Sequence, residues 1–185
     1  MDSLVWQVRD RILSLQTQWF TLIGEHLQVP EGPLLEYWRV EKADSVVVLP
    51  IQNQQIIMPV PIYRPGVGKA TLDFPGGRCP ADQSPAQATQ SILQRELGIS
   101  PTAIKHLAPL NPAGWAINSS FSSQMLYGFV AHLKDEAAVS AERVAANYPL
   151  NPAGLAALLE NLHCLQCRLV LREWQAAPIG EDVKD

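Results

Sequence analysis

A loop and helix with recognisable signals at both ends, residues 77–99, constrain the fold of this 185-residue chain more than any other segment. Ser84 is placed to cap a helix N-terminus, Pro85 suits the first helical position, and Gln87 completes a capping box with Ser84. Gly98 can end the same helix in the left-handed conformation that glycine adopts readily. Together these residues predict a loop followed by a helix of about three turns.

The same segment resembles the signature of the Nudix hydrolase superfamily, G-x5-E-x7-R-E-U-x-E-E-x-G-U, in which U is a bulky aliphatic residue. The positions that match are Gly77, Leu93, Glu96, Gly98 and Ile99. The departures fall on charged positions of the signature, which are here Gln83, Ser91, Ile92 and Arg95. The segment therefore keeps the residues that shape a Nudix box and has lost most of its acids.

Flanking segments are similar to the ADP-ribose pyrophosphatase branch of that superfamily. Residues 63–68 and 72–77 resemble its strand, its loop and its E-L-P-A-G motif, and residues 111–114 and 125–133 resemble a later loop and strand. The resemblance covers roughly residues 25–135. It implies an α/β fold, a Nudix-type α/β/α sandwich with a mixed central sheet.

The N-terminal residues 3–27 have apolar side chains at helical spacing, which predicts an amphipathic helix. We therefore expect an N-terminal helix within residues 1–30, a Nudix-like domain over residues 31–175 and a polar tail over residues 176–185. The polar face of this helix is not rich in Lys or Arg, so packing on its own domain or across a dimer seam is favoured over a membrane surface. The family resemblance makes a homodimer plausible.

Strand and helix patterns continue through the rest of the chain. Apolar runs at residues 45–51 and 56–63 predict a hairpin whose second strand, with Pro59 and Pro61, is an edge strand or is bulged. The apolar run at residues 125–133 predicts a strand buried between helical layers. Asn151 and the following proline predict the start of a Leu-rich helix that continues past residue 169.

The chemistry of the family depends on Mg²⁺ or Mn²⁺, and hard cations of this kind favour several carboxylate ligands. Positions 92, 95 and 96 share one helix face. Ile92 cannot ligate a metal, and Arg95 places a fixed positive charge there, with a repulsion of about 4 kcal/mol per pair of unit charges ~4 Å apart at an effective dielectric near 20. Glu96 alone does not compensate, so the sequence predicts that the usual metal-dependent hydrolysis is lost or much reduced.

Six residues are nevertheless candidates for a functional site. Glu96 is the candidate catalytic acid and, with Asp82, the candidate metal ligand of a rearranged acid set that uses Mg²⁺ or Mn²⁺. Arg64 resembles a family position that faces substrate phosphate, although a strand-end Arg paired with an acid is an equal alternative. Gly76 and Gly77 allow close backbone approach to a ligand, or simply form a turn.

Three functions remain open. The first is binding of a nucleotide-sugar or dinucleotide without hydrolysis, with Arg95 as the sixth candidate residue, neutralising phosphate charge in place of a metal. The second is an active pyrophosphatase that uses Glu96 and Asp82. The third is a structural or assembly factor that binds a protein partner and no small molecule. The sequence favours binding or a scaffold role over catalysis.

Composition excludes other classes. A net charge of −4 argues against a nucleic-acid-binding surface, and no apolar run approaches the ~20 residues of a membrane span. Three cysteines are too few for a disulfide framework, so we expect a reducing cytoplasm. Cys164 and Cys167 form a lone C-x-x-C, which is predicted to be two core or surface cysteines rather than a metal or redox pair.

Overall fold

The computed structural model describes residues 4–177, which form two compact units. One unit comprises the chain up to Asp44 together with Trp115–Met125, and the other comprises Ser45–Gly114 with the chain from Leu126 onward. Part of the predicted polar tail, residues 178–185, lies outside the described residues, as do residues 1–3.

The N-terminal helix predicted over residues 3–27 is wrong, because this segment forms two strands. An antiparallel sheet in the order β1-β2-β3 is built from β1 (Gln7–Gln16), β2 (Thr21–Gln28) and β3 (Leu34–Glu41). The pairing of β1 with β2 shifts register between Val8 and Asp10 and again between Arg11 and Leu13. Such irregularities interrupt the two-residue alternation of a strand, and the resulting three- and four-residue apolar spacing imitates a helix.

A buried carboxylate ties the three strands of this sheet together. Glu25 on β2 is 2% exposed, and its Oε1 accepts a hydrogen bond from Arg11 Nη2 of β1 at 2.9 Å. Its Oε2 accepts one from Arg39 Nε of β3 at 3.0 Å. The hydrogen bond from Arg39 is the main cause that holds the pKa of Glu25 below its usual value, and Arg11 adds to it against the opposing effect of burial.

The second unit contains nearly all the remaining strands. In chain order the further elements are β4 (Ser45–Gln52), β5 (Gln55–Pro59), β6 (Ile62–Arg64), β7 (Lys69–Thr71), β8 (Gly76–Arg78), α1 (Pro85–Leu97), β9 (Ile104–Pro109), β10 (Trp115–Ala116, in the first unit), β11 (Met125–Leu133), β12 (Val144–Pro149), α2 (Pro152–Asn161) and α3 (Leu165–Ala176). Two 3-10 helices lie at Pro101–Ala103 and Ala141–Arg143. The strand predicted at 125–133 is confirmed.

The main sheet is mixed, as the fold prediction requires. β4 pairs parallel with β11 and antiparallel with β5 and β8, while β9 pairs antiparallel with β11 and β12 with β5. β6 and β7 form a separate two-stranded ribbon. Val46 and Val48 of β4 share a buried cluster with Ile92 and Leu93 of α1, so α1 covers that face. Alternate residues point to the opposite face, and α3 also packs on β4. The α/β/α sandwich is therefore confirmed.

Two local predictions need correction. The strand predicted over residues 56–63 ends at Pro59, and it lies between β4 and β12 rather than at an edge. The register of β12 shifts opposite Pro59, between Val144 and Ala146, so the predicted bulge is present in the partner strand. The Leu-rich helix is two helices, because Leu162 leaves helical geometry to bridge to Leu72.

No helix among residues 4–177 is long and apolar enough to cross a membrane.

We predict that Glu25→Gln lowers the free energy of unfolding by about 3 kcal/mol at pH 7, because it removes the charge that two arginines share in a buried position. Glu41→Gln is the matched control, since Glu41 also bonds Arg39 but is exposed, and should cost less than about 1 kcal/mol. Urea unfolding measures both.

The contribution of Glu25 to the free energy of unfolding also depends on pH. Because the pKa of Glu25 is lowered on folding, its contribution to stability is complete above the ordinary pKa of 4.5 and is lost as pH falls through the lower pKa of the folded state. The difference between wild type and Glu25→Gln should therefore shrink below pH 4.5. Equal unfolding energies for Glu25→Gln and Glu41→Gln at pH 7 would contradict this role.

Candidate functional site

The helix of the Nudix-like box begins with the predicted capping box. Ser84 Oγ accepts a hydrogen bond from Gln87 N at 3.3 Å, and Gln87 Oε1 accepts one from Ser84 N at 2.9 Å. Pro85 occupies the first helical position. These contacts satisfy backbone groups that the first turn leaves without helical partners, so the start of α1 is fixed by local sequence alone.

The end of α1 is fixed by both local and distant contacts. Gly98 has φ 72°, and its N–H donates to Gln94 O at 3.1 Å. A Cβ at Gly98 would lie 2.3 Å from Ser140 Oγ, so both the backbone conformation and the available space require glycine. Arg143 Nη1 donates to Arg95 O at 2.8 Å and holds the last turn from outside. The box helix thus has a defined C-terminus that positions residues 95 and 96.

Arg95 and Glu96 form an ion pair at the place where the family signature has two acids. Arg95 Nη2 donates to Glu96 Oε1 at 2.6 Å and to Gly76 O at 3.3 Å, and Gly76 N donates to Glu96 Oε2 at 3.2 Å. Glu96 is 15% exposed and Arg95 is 60% exposed. Both carboxylate oxygens of Glu96 are therefore already bonded, one to a guanidinium and one to the backbone of β8.

Gly77 lets this pair lie close to the box loop. A Cβ at Gly77 would be 3.1 Å from Arg95 Nη2 and 3.7 Å from Ile92 Cδ1. Three of the sequence candidates, Gly76, Gly77 and Arg95, are thus brought together with Glu96. Ile92 is 1% exposed and lies in the apolar cluster under the sheet, so it serves the core.

The other departures from the signature lie on the solvent side of α1. Asp82 is exposed in the loop before the helix, and none of its neighbours forms a group of three metal-ligating side chains with it among the described residues. A shallow groove of about 380 Å³ runs along the helix and is lined by Gln83, Gln87, Gln90, Ser91, Gln94 and Pro101. Every lining residue is uncharged, so the groove offers amide and hydroxyl hydrogen bonds but no carboxylate.

The donor set around Glu96 does not fit Mg²⁺ or Mn²⁺. Such ions take several oxygen ligands, mostly anionic ones. Here Arg95 neutralises the carboxylate of Glu96, and position 92 is an aliphatic core residue. Position 83, where the signature has an acid, is an amide that lines the groove on the solvent side of α1. A divalent cation would have to displace the Arg95 contact and then remain beside its charge.

Arg64, the candidate phosphate-binding arginine, forms an ion pair with Asp73. Its Nε donates to Asp73 Oδ2 at 2.8 Å, and Thr71 Oγ1 donates to the same oxygen at 2.9 Å. The structure therefore agrees with the second alternative, in which Arg64 is a strand-end arginine paired with an acid. Roughly half of the Arg64 side chain remains exposed.

The structure also brings together three side chains with possible metal-ligand atoms, a group that the sequence did not predict. Asp73, Cys164 and Cys167 each offer one ligand atom, and these three atoms lie within 4.8 Å of one another. A hydrogen bond from the Cys167 thiol is the main cause that lowers the pKa of Cys164 to about 6. The same contact and burial raise the pKa of Cys167 well above its usual value. The sequence showed the C-x-x-C spacing, but the contribution of Asp73 depends on contacts across the fold.

No protein-family model matches this sequence, and no curated protein matches it. Comparison with solved structures finds a crystal structure described as that of an ADP compounds hydrolase, which matches with a TM-score of 0.74 and 19% sequence identity. The match covers 92% of each chain. The chain therefore shares the fold of that hydrolase, and the mixed α/β fold predicted from the box is confirmed.

Proposed function

We propose that this chain binds a pyrophosphate-containing nucleotide, of the ADP-ribose or nucleoside-diphosphate-sugar class, and does not cleave it by the metal-dependent route. The observation that carries the proposal is the contact of Arg95 with both Glu96 and Gly76. The fold shared with an ADP compounds hydrolase supports the choice of ligand class.

The position of Arg95 suits an anion better than a cation. Its Nη2 is used by Glu96 and Gly76, whereas its Nε and Nη1 make no hydrogen bond to any residue from 4 to 177. Guanidinium groups bind phosphate oxygens through paired N–H donors, and charge-assisted bonds of this kind are the strong ones. Arg95 therefore neutralises Glu96 with one nitrogen and keeps two others for a phosphate.

The first prediction concerns the arginine. In a buffer with EDTA, ADP-ribose should bind to the wild type, and Arg95→Ala should weaken it by at least tenfold, because a charge-assisted hydrogen bond contributes about 1.5–3 kcal/mol. Isothermal titration calorimetry measures both. Arg172→Ala is the matched control, since Arg172 is an exposed helical arginine on α3 whose side chain bonds only Gln175 among residues 4–177. Equal affinity of wild type and Arg95→Ala would reject the role of Arg95.

The second prediction concerns the metal. Wild type with Mg²⁺ should release no AMP from ADP-ribose above the protein-free blank. A variant that combines Gln83→Glu, Ser91→Arg and Arg95→Glu should bind Mn²⁺ at least tenfold more tightly than the wild type, because it replaces the positive charge beside Glu96 with an acid and restores the acid of the signature at position 83. Electron paramagnetic resonance of free Mn²⁺ measures this binding. Ile92 is left unchanged, since a carboxylate at this buried position would be unpaired.

The remaining functions are distinguished by the same experiments. AMP release by the wild type that Glu96→Gln abolishes would replace our proposal with an active pyrophosphatase that uses Glu96 and Asp82. Absence of any nucleotide binding, with a specific protein co-purifying, would replace it with an assembly factor.

We further propose that the chain forms a homodimer through its N-terminal sheet. β1 is an edge strand, and it is exposed along its whole length, including Val8, Ile12, Leu13 and Leu15. An exposed edge strand with apolar side chains is a template for pairing with a strand of another chain. Pairing of β1 with β1 of a second copy would cover these side chains.

Light scattering after size-exclusion chromatography tests this. Wild type should elute with the mass of two chains, and Ile12→Lys should elute as a monomer, because a lysine on the edge strand cannot be buried against its copy. Val67→Lys, at an exposed apolar position in the ribbon turn, should stay dimeric. A monomeric wild type would contradict the proposal.

A further inference from the structure

The start of α3 lies close to the buried carboxylate of Asp73, although the two are far apart in sequence. Leu72 and Leu162 form an isolated parallel bridge, which places the next residue, Asp73, beside the residues that lead into α3. Cys164 is the N-cap of that helix and Cys167 lies in its first turn. The bridge therefore explains why one carboxylate and two thiols meet.

The spacing of the three ligand atoms is close to that of a metal centre. In tetrahedral zinc sites the Zn–S bond is about 2.3 Å and the Zn–O bond about 2.0–2.2 Å, so the ligand atoms lie about 3.6–3.8 Å apart. The three atoms here lie within 4.8 Å of one another. Small side-chain rotations bring them to the shorter distance, and the two sulfurs are already in hydrogen-bond contact.

One oxygen of Asp73 has no partner although it is buried. Asp73 is 8% exposed, and its Oδ2 accepts hydrogen bonds from Arg64 and Thr71. Its Oδ1 has no hydrogen-bond partner within residues 4–177. Buried carboxylate oxygens are rarely left in this state, because each loses its hydration without compensation. Arg64 and Thr71 thus fix the carboxylate and leave Oδ1 for a ligand, as partners behind metal-ligating carboxylates do.

The backbone around the cluster supports sulfur ligands as well. Phe74 N donates to Cys167 Sγ at 3.3 Å. The backbone N–H groups of Cys167 and Gln166, at the start of α3, help to lower the pKa of the Cys164 thiol. Hydrogen bonds from amides stabilise thiolates, which are the form that binds metal.

Charge balance favours a divalent ion. Two thiolates and one carboxylate carry three negative charges, Arg64 carries one positive charge, and a divalent ion brings the cluster to zero. A partly buried group with net negative charge is costly, so neutralisation is favourable. Thiolate ligands select zinc-like ions over Mg²⁺, because the sulfur donors are soft.

We propose that Asp73, Cys164 and Cys167 form a binding site for Zn²⁺ or a similar thiophilic divalent cation. Cys164 is only partly buried, so solvent reaches the centre and water supplies the fourth ligand. The site shares neither Glu96 nor Arg95 with the proposed nucleotide site.

The test uses full-length protein purified with a reductant and without chelator. After addition of excess Zn²⁺ and gel filtration, elemental analysis should find about one zinc per chain in wild type. Cys164→Ser and Cys167→Ser should retain less than a tenth of it, and Asp73→Asn should bind at least tenfold more weakly. Cys79→Ser is the matched control, since Cys79 is a buried cysteine outside the cluster, and it should keep the wild-type stoichiometry.

Spectroscopy separates ligation from misfolding. Co²⁺ added to the reduced wild type should produce thiolate-to-cobalt charge-transfer absorption and the visible bands of a tetrahedral site, and Zn²⁺ should abolish both. Asp73→Asn should keep charge transfer with altered visible bands, while circular dichroism confirms that each variant is folded. Wild type without cobalt absorption, or Cys164→Ser with unchanged absorption, would overturn the proposal. So would a Cys164–Cys167 disulfide whose reduction yields no metal binding, which would identify a redox pair instead.

Discussion

The pairing of β4 with its neighbours is the constraint on which both candidate sites depend. Antiparallel pairing with β8 joins Val46 to Gly77 and Val47 to Gly76, so the box loop lies beside a strand that is buried along most of its length. The two faces of the same strand receive α1 and α3. Because interiors are close-packed, these helices have little freedom to shift. The strand therefore positions the Arg95–Glu96 pair on one side and the cysteine cluster on the other.

The box helix keeps its shape although its charged positions differ from the signature that it resembles. Capping residues, Gly98 and Leu93 shape the helix and its packing, and these are retained. The acids of the signature contribute to metal binding and little to folding, so their replacement leaves the sandwich intact. At position 95 the replacement is also a structural gain, because the arginine satisfies Glu96 and the carbonyl of Gly76. A lone carboxylate has become half of an ion pair.

Sequence reasoning succeeded where the cause was local. The capping box, the glycine at the end of α1 and the buried strand β11 each depend on neighbouring residues or on a simple period. It failed for the N-terminal segment, because register shifts in β1 produced helical spacing and only pairing with β2 and β3 identifies the strand. It also placed Ile92 on the metal face, whereas packing under the sheet makes it a core residue. The cysteine cluster could not be predicted from the sequence, since Asp73 joins it through a bridge between Leu72 and Leu162, which are 90 positions apart.

Arg64 has a consequence beyond its ion pair. Its guanidinium is half exposed and bonds the buried carboxylate of Asp73. Any phosphate that draws Arg64 outward competes with Asp73 for the same charge and leaves the carboxylate more negative. A more negative carboxylate attracts a cation more strongly, and a bound cation in turn makes Arg64 easier to release. Thermodynamic linkage requires the two effects to be equal, so an anion at Arg64 and a cation at Asp73 would strengthen each other by the same factor.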